Sequence, residues 1–222
     1  ATATDDFRNE PNTFGYIVEV DPFDTASKPV KRTAMGRFAH EGAIFAPAEA
    51  GKPLVYYMGD DSRNEYLYKF VSAASWDPAD VGMGTTAGNK YLDDGKLYVA
   101  IFNNDGTGEW KELSFGVNGL DAANPLYPFS SQGDVILATR LAADHVGATK
   151  MDRPEWAAVN PVNGECYLTL TNNSGRNRTP ETVDGVNPRT YGGSGGNPNG
   201  HIIRWREEGG DHGAISFDWD VF

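Results

Sequence analysis

Short apolar runs, many alternating with period two and each bounded by Gly, Pro, Asn or Asp, recur along this chain from its first quarter to its end. That pattern belongs to half-buried or fully buried strands. It predicts strands over Gly15 to Val20, Ala43 to Ala46, Leu54 to Met58, Tyr66 to Val71, Leu97 to Phe102, Trp110 to Phe115, Trp156 to Val159, Tyr167 to Thr171 and His201 to Trp205. Phe217 to Phe222 forms one more β-like run. Helical spacing is confined to Asp134 to Asp144, where Val135, Ile136, Leu137, Leu141 and Ala142 fall on or near one face behind an acidic start. The class is therefore all-β, with one short helix in an inter-strand connection.

Laying the strand-rich stretches over one another exposes a repeat. One copy runs Glu41-Gly-Ala43, Leu54 to Ser62 (ending Gly59-Asp60-Asp61-Ser62) and Asn64 to Phe70. The other runs Glu155-Trp-Ala157, Cys166 to Ser174 (ending Thr171-Asn172-Asn173-Ser174) and Asn199 to Trp205. Gly15 to Val20 matches Gly200 to Trp205 as a partial third copy. The main copies begin 114 residues apart, at Glu41 and Glu155, about two propeller blades at roughly 40 to 50 residues each. A β-propeller with an intermediate, diverged blade between the copies is the expectation. If each copy's first strand is innermost, Glu41 and Glu155 face a shared channel.

Composition fits this picture. The 222 residues include 26 glycines and 13 prolines, about half as many again as average usage predicts. Dense tight turns follow. With 31 acidic and 19 basic residues the formal charge is −12, which argues against nucleic acid and anionic membrane surfaces as partners. No apolar run approaches a membrane span, and the first residues carry no signal peptide. Cys166 is the sole cysteine, so it forms no internal disulfide, and its alternating surroundings place it in the core.

Carboxylates at equivalent repeat positions without matching bases suit hard cations, calcium or ferric iron. Glu41, Asp60 and Glu155 are the candidate metal ligands; the competing reading is that Glu41 and Asp61 are solvated acids at strand ends. Arg153, in Asp152-Arg-Pro-Glu-Trp156, could offer a guanidinium to a phosphate or carboxylate, or could form a structural ion pair with a neighbouring acid. His40 is either a ligand or base, or a hydrogen-bonded structural histidine. Gly192-Gly-Ser194-Gly-Gly196 spells a nucleophile elbow but lacks the strand before and the helix after it, and reads as a flexible loop. Asp105-Gly106 reads as a hairpin turn rather than part of a calcium loop.

Six ordered blocks resemble the PhoX alkaline phosphatases: Phe14 to Pro22, Gly36 to Ala43, Tyr57 to Asp61, Asp105 to Trp110, Asp152 to Trp156 and Leu168 to Ser174. The resemblance implies a six-bladed propeller, of which residues 1–222 are an internal segment, and a site of calcium and ferric iron held largely by carboxylates. It matches Glu41, Asp60 and Glu155 to metal-binding acids and Arg153 to a phosphate-contacting arginine. It further implies phosphate monoesters as substrates, a periplasmic or extracellular location, and metal ligands beyond this segment, so that the segment alone is inactive. Cys166 does not occupy the family's metal-binding cysteine position. Open blade edges would permit self-association. The alternatives are a calcium-dependent lactonase-like propeller and a non-catalytic propeller that binds a partner through its loops.

Overall fold

The computed structural model describes residues 7–174, 185–187 and 196–222. The elements in chain order are β1 (Ile17–Glu19), β2 (Val30–Arg32), β3 (Ile44–Phe45), β4 (Pro53–Gly59), β5 (Arg63–Glu65) and β6 (Leu67–Ser75), followed by α1 (Thr85–Leu92), β7 (Gly95–Phe102) and β8 (Thr107–Glu112). Then come α2 (Gln132–Leu137), α3 (Thr139–His145), β9 (Met151–Asp152), β10 (Pro154–Val159), β11 (Cys166–Leu170), β12 (His201–Glu207) and β13 (Ser216–Val221).

Nine of these strands form one antiparallel sheet, ordered β10-β11-β12-β13-β8-β7-β6-β4-β3. The sheet curls until β10, at one end, lies against β3 and β4 at the other. The result is mostly β, a nearly closed barrel-like sheet. The repeat is visible in it: β3, β4, β6 and β7 form one antiparallel meander, and β10, β11, β12 and β13 form a second. The meanders join where β13 pairs with β8, Phe217 opposite Gly108. A side chain at position 108 would collide with the Phe217 ring, its Cβ 2.1 Å from Cε2.

Four expectations are corrected. No intermediate blade separates the copies among the described residues; β8, a long connection and the α2–α3 pair occupy that stretch, and the two copies are spatial neighbours. The partial third copy joins no blade, because β1 pairs with β2 in a separate two-stranded sheet. The single helix becomes three. The apolar stripe over 134–144 is split at Ala138, which leaves helical geometry (φ −106°, ψ 40°). Ser131 caps α2 by accepting from the Asp134 N–H, and the break frees the Thr139 hydroxyl to accept from the Arg37 N–H. The strand expected at Trp110 to Phe115 lies earlier, at Thr107–Glu112, because Asp105-Gly106 closes its hairpin to β7 with Gly106 at φ 91°.

Two apolar clusters flank the sheet. One fills the barrel, with Val55, Tyr57, Leu67, Trp110, Cys166, Leu168, Ile203, Trp205 and Phe217; the other lies under α2 and α3, with Met58, Tyr68, Phe70, Val99, Val135 and Ala142. Because both faces of β4 and β6 are covered, these strands read as continuous apolar runs. Lys69 interrupts the run of β6 and points into the barrel, where its ammonium meets the Glu207 carboxylate at 3.5 Å and lies 4.6 Å from the centre of the Trp110 ring. Glu207 also accepts from the Tyr57 hydroxyl (2.7 Å) and the indoles of Trp110 (3.0 Å) and Trp205 (3.2 Å). This network links both meanders. Cys166 is buried beside it, and burial pushes its thiol well up from the ordinary value. Among the described residues no helix is long and apolar enough to cross a membrane.

Candidate phosphate and metal site

Glycine at position 59 brings the two copies together. A Cβ there would lie 2.4 Å from the Glu155 carbonyl oxygen and 2.6 Å from that of Pro154, so only a bare Cα lets β10 pass this close to the end of β4. Around that contact the chain ends of both copies converge. The Glu41 N–H donates to the Gly59 carbonyl at 3.1 Å, and the Asp61 N–H to that of Ala39 at 2.9 Å. These bonds fix the first copy's acids opposite the β9–β10 junction.

Arg153 stands at that junction in the left-handed region, φ 44°, a conformation a non-glycine residue holds only when its surroundings over-determine it. The surroundings do so. Its N–H donates to Met151 O, its carbonyl accepts from Thr171, and its guanidinium grips Asp61 through Nε and Nη2, both at 3.0 Å. Nη2 also lies 3.5 Å from Glu155 Oε1, which accepts from the Thr171 hydroxyl at 2.8 Å. Asp61 foremost, then Glu155 and Glu41, hold the Arg153 pKa above its ordinary value. Its Nη1 makes no hydrogen bond among the described residues.

The structure thus gathers Glu41, Arg153 and Glu155, and adds Asp61 and Thr171, which sequence reasoning did not select. It leaves Asp60 facing the other way. Asp60 is fully buried and accepts from the Ala39 N–H at 3.2 Å and from Arg140 of α3 through Nε (2.7 Å) and Nη2 (2.6 Å). Arg140 itself is held up in pKa by this carboxylate. Successive residues at a strand end point to opposite sides, so Asp60 turns inward and Asp61 outward. The aligned pair of the second copy is reversed: Asn173, which matches Asp61, is buried and donates to Asp152 Oδ1 at 3.0 Å, while Asn172, which matches Asp60, is exposed.

His40 stacks on Phe38 with ring centroids 3.6 Å apart, and its Nε2 meets the Gly36 carbonyl at 3.1 Å. Burial drives its pKa down to about 4, so it is neutral at pH 7 and Nε2 carries the donated proton. Among the described residues its Nδ1 is buried without a hydrogen bond, as are Tyr68 Oη and Glu65 Oε2, the last lying 3.5 Å from Arg140 Nε. The Glu65 carboxyl is pushed up to about 7, by burial and then by Asp60. The stretch 192–195, which holds the Gly192-Gly-Ser194 motif, lies outside the described residues.

The donor chemistry fits a hard cation in part. Glu41, Asp61 and Glu155 set three carboxylates against the single guanidinium of Arg153, an excess of negative charge on oxygen donors. Yet among the described residues no group of three or more His, Cys, Asp or Glu is gathered closely enough to hold a metal ion. A complete site needs oxygens from elsewhere.

Comparison with known proteins follows the same lines. The family model for alkaline phosphatase PhoX matches residues 2–222. A solved structure, "Pseudomonas fluorescens PhoX in complex with vanadate, a transition state analogue", is 45% identical, with a TM-score of 0.83 over 96% of this chain and 36% of that one. This chain thus spans little more than a third of that relative. No curated protein matches. The chain belongs to the PhoX alkaline phosphatase family.

Proposed function

We propose that the intact protein containing this chain hydrolyses phosphate monoesters at a carboxylate cluster of calcium and ferric iron, built partly from Glu41, Asp60 and Glu155, with Arg153 contacting the phosphoryl group. The observation that carries this reading is the relative with a bound transition-state analogue, 45% identical to this chain. Calcium and iron would neutralise phosphoryl oxygens and supply an activated oxygen nucleophile.

The chain's own residues hold and orient. Asp61 clamps the Nε–Nη2 edge of the Arg153 guanidinium, which leaves Nη1 to donate to an equatorial phosphoryl oxygen. That bond strengthens as charge builds on the oxygen in the transition state. Thr171 fixes one oxygen of Glu155 and leaves the other for a cation. Asp60 would ligate through a carboxylate that Arg140 already orients, as outer partners of metal ligands commonly do.

In the intact protein the two meanders become neighbouring blades of a six-bladed propeller with β3 and β10 innermost, and the location is periplasmic or extracellular. Neither nucleic acid nor membrane is a partner, and self-association runs through sheet edges. The isolated 222-residue chain is inactive, because its ligand set is incomplete. The test is hydrolysis of p-nitrophenyl phosphate with added calcium and iron. The intact protein should turn over, and Arg153→Ala should lower kcat/KM by about 10²- to 10³-fold. Unchanged kcat/KM would remove Arg153 from the reaction. Robust turnover by the isolated chain, abolished by Glu155→Gln, would overturn its inactivity.

A further inference from the structure

On the far side of β4 from the barrel interior, a cleft of about 260 Å³ opens between α1 and the β3–β4 edge. Its volume suits a small ligand rather than a drug-sized one. Two aromatic pairs form its walls: Phe45 with Tyr56, ring centroids 6.3 Å apart, and Trp76 with Tyr91, 5.2 Å apart. Glu19 is its charged lining residue.

The charge around the cleft is one-sided. Glu19 Oε2 accepts from Arg32 Nε at 2.6 Å and pairs with Nη2, and Arg32 also binds Asp93 at 2.8 Å. Asp21 sits at the rim, where a Cβ on Gly84 would lie 2.3 Å from its Oδ2. Lys90 is balanced by Asp80 at 2.7 Å. Three carboxylates therefore face one guanidinium. Glu19 Oε1 and the Tyr56 hydroxyl make no hydrogen bond among the described residues. Burial and the Glu19 charge keep the Tyr56 phenol protonated.

Glycine keeps the arrangement open. At Gly88 of α1 a Cβ would stand 2.0 Å from Glu19 Oε2 and 2.3 Å from Arg32 Nη2, so a larger residue would expel the carboxylate from beneath the helix. Aromatic faces around an excess of negative charge attract cations with apolar substituents, through the ring quadrupoles and the carboxylate together. A neutral apolar ligand would gain from the walls alone. An anion would be repelled.

We propose that this cleft binds an alkylammonium ion, its cationic head toward Glu19 Oε1 and its alkyl groups against Phe45, Tyr56 and Trp76. The site is separate from the Arg153 cluster and does not depend on the phosphatase reading. The 222-residue chain is titrated calorimetrically in amine-free buffer with choline and with its neutral isostere 3,3-dimethylbutan-1-ol. Choline should bind saturably, and the alcohol about tenfold more weakly or not at all. Glu19→Gln and Trp76→Leu should each weaken choline several-fold. Because Glu19→Gln also loosens buried Arg32, Ala87→Leu provides the second variant: it fills the cleft from α1 with a good helix former and should abolish binding with the melting curve retained. Equal affinity for the two probes would overturn the proposal in favour of a simple apolar groove. So would choline binding that survives Ala87→Leu, an absence of saturable binding, or a concentration-dependent dimer that Phe45→Ala dissolves.

Discussion

Replacing Glu207 with leucine preserves volume inside the barrel and removes the acceptor of four donors. Glu207 is 2% exposed and Lys69 0%, so water does not readily replace the lost carboxylate. Removing one partner of a buried ion pair costs about 3–5 kcal/mol, and each donor left dry costs about 1–3 kcal/mol. These costs overlap, because the Tyr57 hydroxyl keeps His212 Nδ1 at 2.9 Å and the Lys69 ammonium keeps the carbonyls of His212 and Ala214. A net loss of about 4 kcal/mol follows. Lys69→Met should cost less, about 2 kcal/mol, since the carboxylate keeps its three neutral donors. The double variant should be less destabilised than the two losses summed, with a coupling of about 2 kcal/mol. Urea titration followed by tryptophan fluorescence measures all four proteins. With an m-value near 3 kcal/mol/M, the Glu207→Leu midpoint should fall by roughly 1.3 M. A coupling of zero, or a Lys69→Met loss larger than that of Glu207→Leu, would refute the reasoning.

Burial pulls the Lys69 pKa from the ordinary 10.5 down to about 8, with Glu207 opposing part of the effect. Between those values the unfolded chain binds more protons than the folded one, so stability should rise with pH across that window, by up to about 3 kcal/mol relative to Lys69→Met. Urea midpoints at each end of the window check it, and parallel curves for the two proteins would contradict it. Gly59→Ala should destabilise the chain by about 2–3 kcal/mol, because its methyl meets two carbonyl oxygens of β10. The same titration decides, with a loss below about 0.5 kcal/mol counting against the close contact. Arg140→Met leaves the buried Asp60 carboxylate without its cation and should cost about 2 kcal/mol after allowance for the partial exposure of Arg140. Arg140→Lys should recover part of that loss, since a lysine cannot reproduce the two-pronged contact.

The strands were legible where one chemistry ruled a whole run. β4, β6, β7 and β11 carry unbroken or alternating apolar residues because their faces meet the two clusters. β2, β5 and β9 are two or three residues long and too short to show a period. α1 was hidden for another reason: it buries Gly88 and Tyr91 and little else, so no apolar stripe marks it. The repeat correctly paired strand with strand, but the distance between copies misled. Blade-counting assumes uniform units, whereas the stretch from β8 to β9 is spent on a long connection and two helices that cover Tyr68 and Phe70. The Lys69–Glu207 pair left no trace either, since each residue interrupts its own strand and their meeting depends on how the barrel closes.

The candidate site shows the same limit at finer scale. Repeat logic located the acidic pair at the end of β4, yet neighbours in a strand face opposite ways, and a shift of one residue exchanges a fully buried acid held by Arg140 for a partly buried one held by Arg153. Asp61 reaches Arg153 because Gly59 admits β10 and because Arg153 adopts a left-handed backbone, and neither condition is written in charge or hydropathy. Glu41 and Asp61 come from one copy, and Arg153, Glu155 and Thr171 from the other. The cluster is therefore a property of the seam and not of either copy. The net charge of −12 describes the whole surface, while the seam brings three carboxylates to one arginine. An excess of acid at such a seam is costly unless cations join it, and on the proposed reading those cations would draw a phosphate to so acidic a chain.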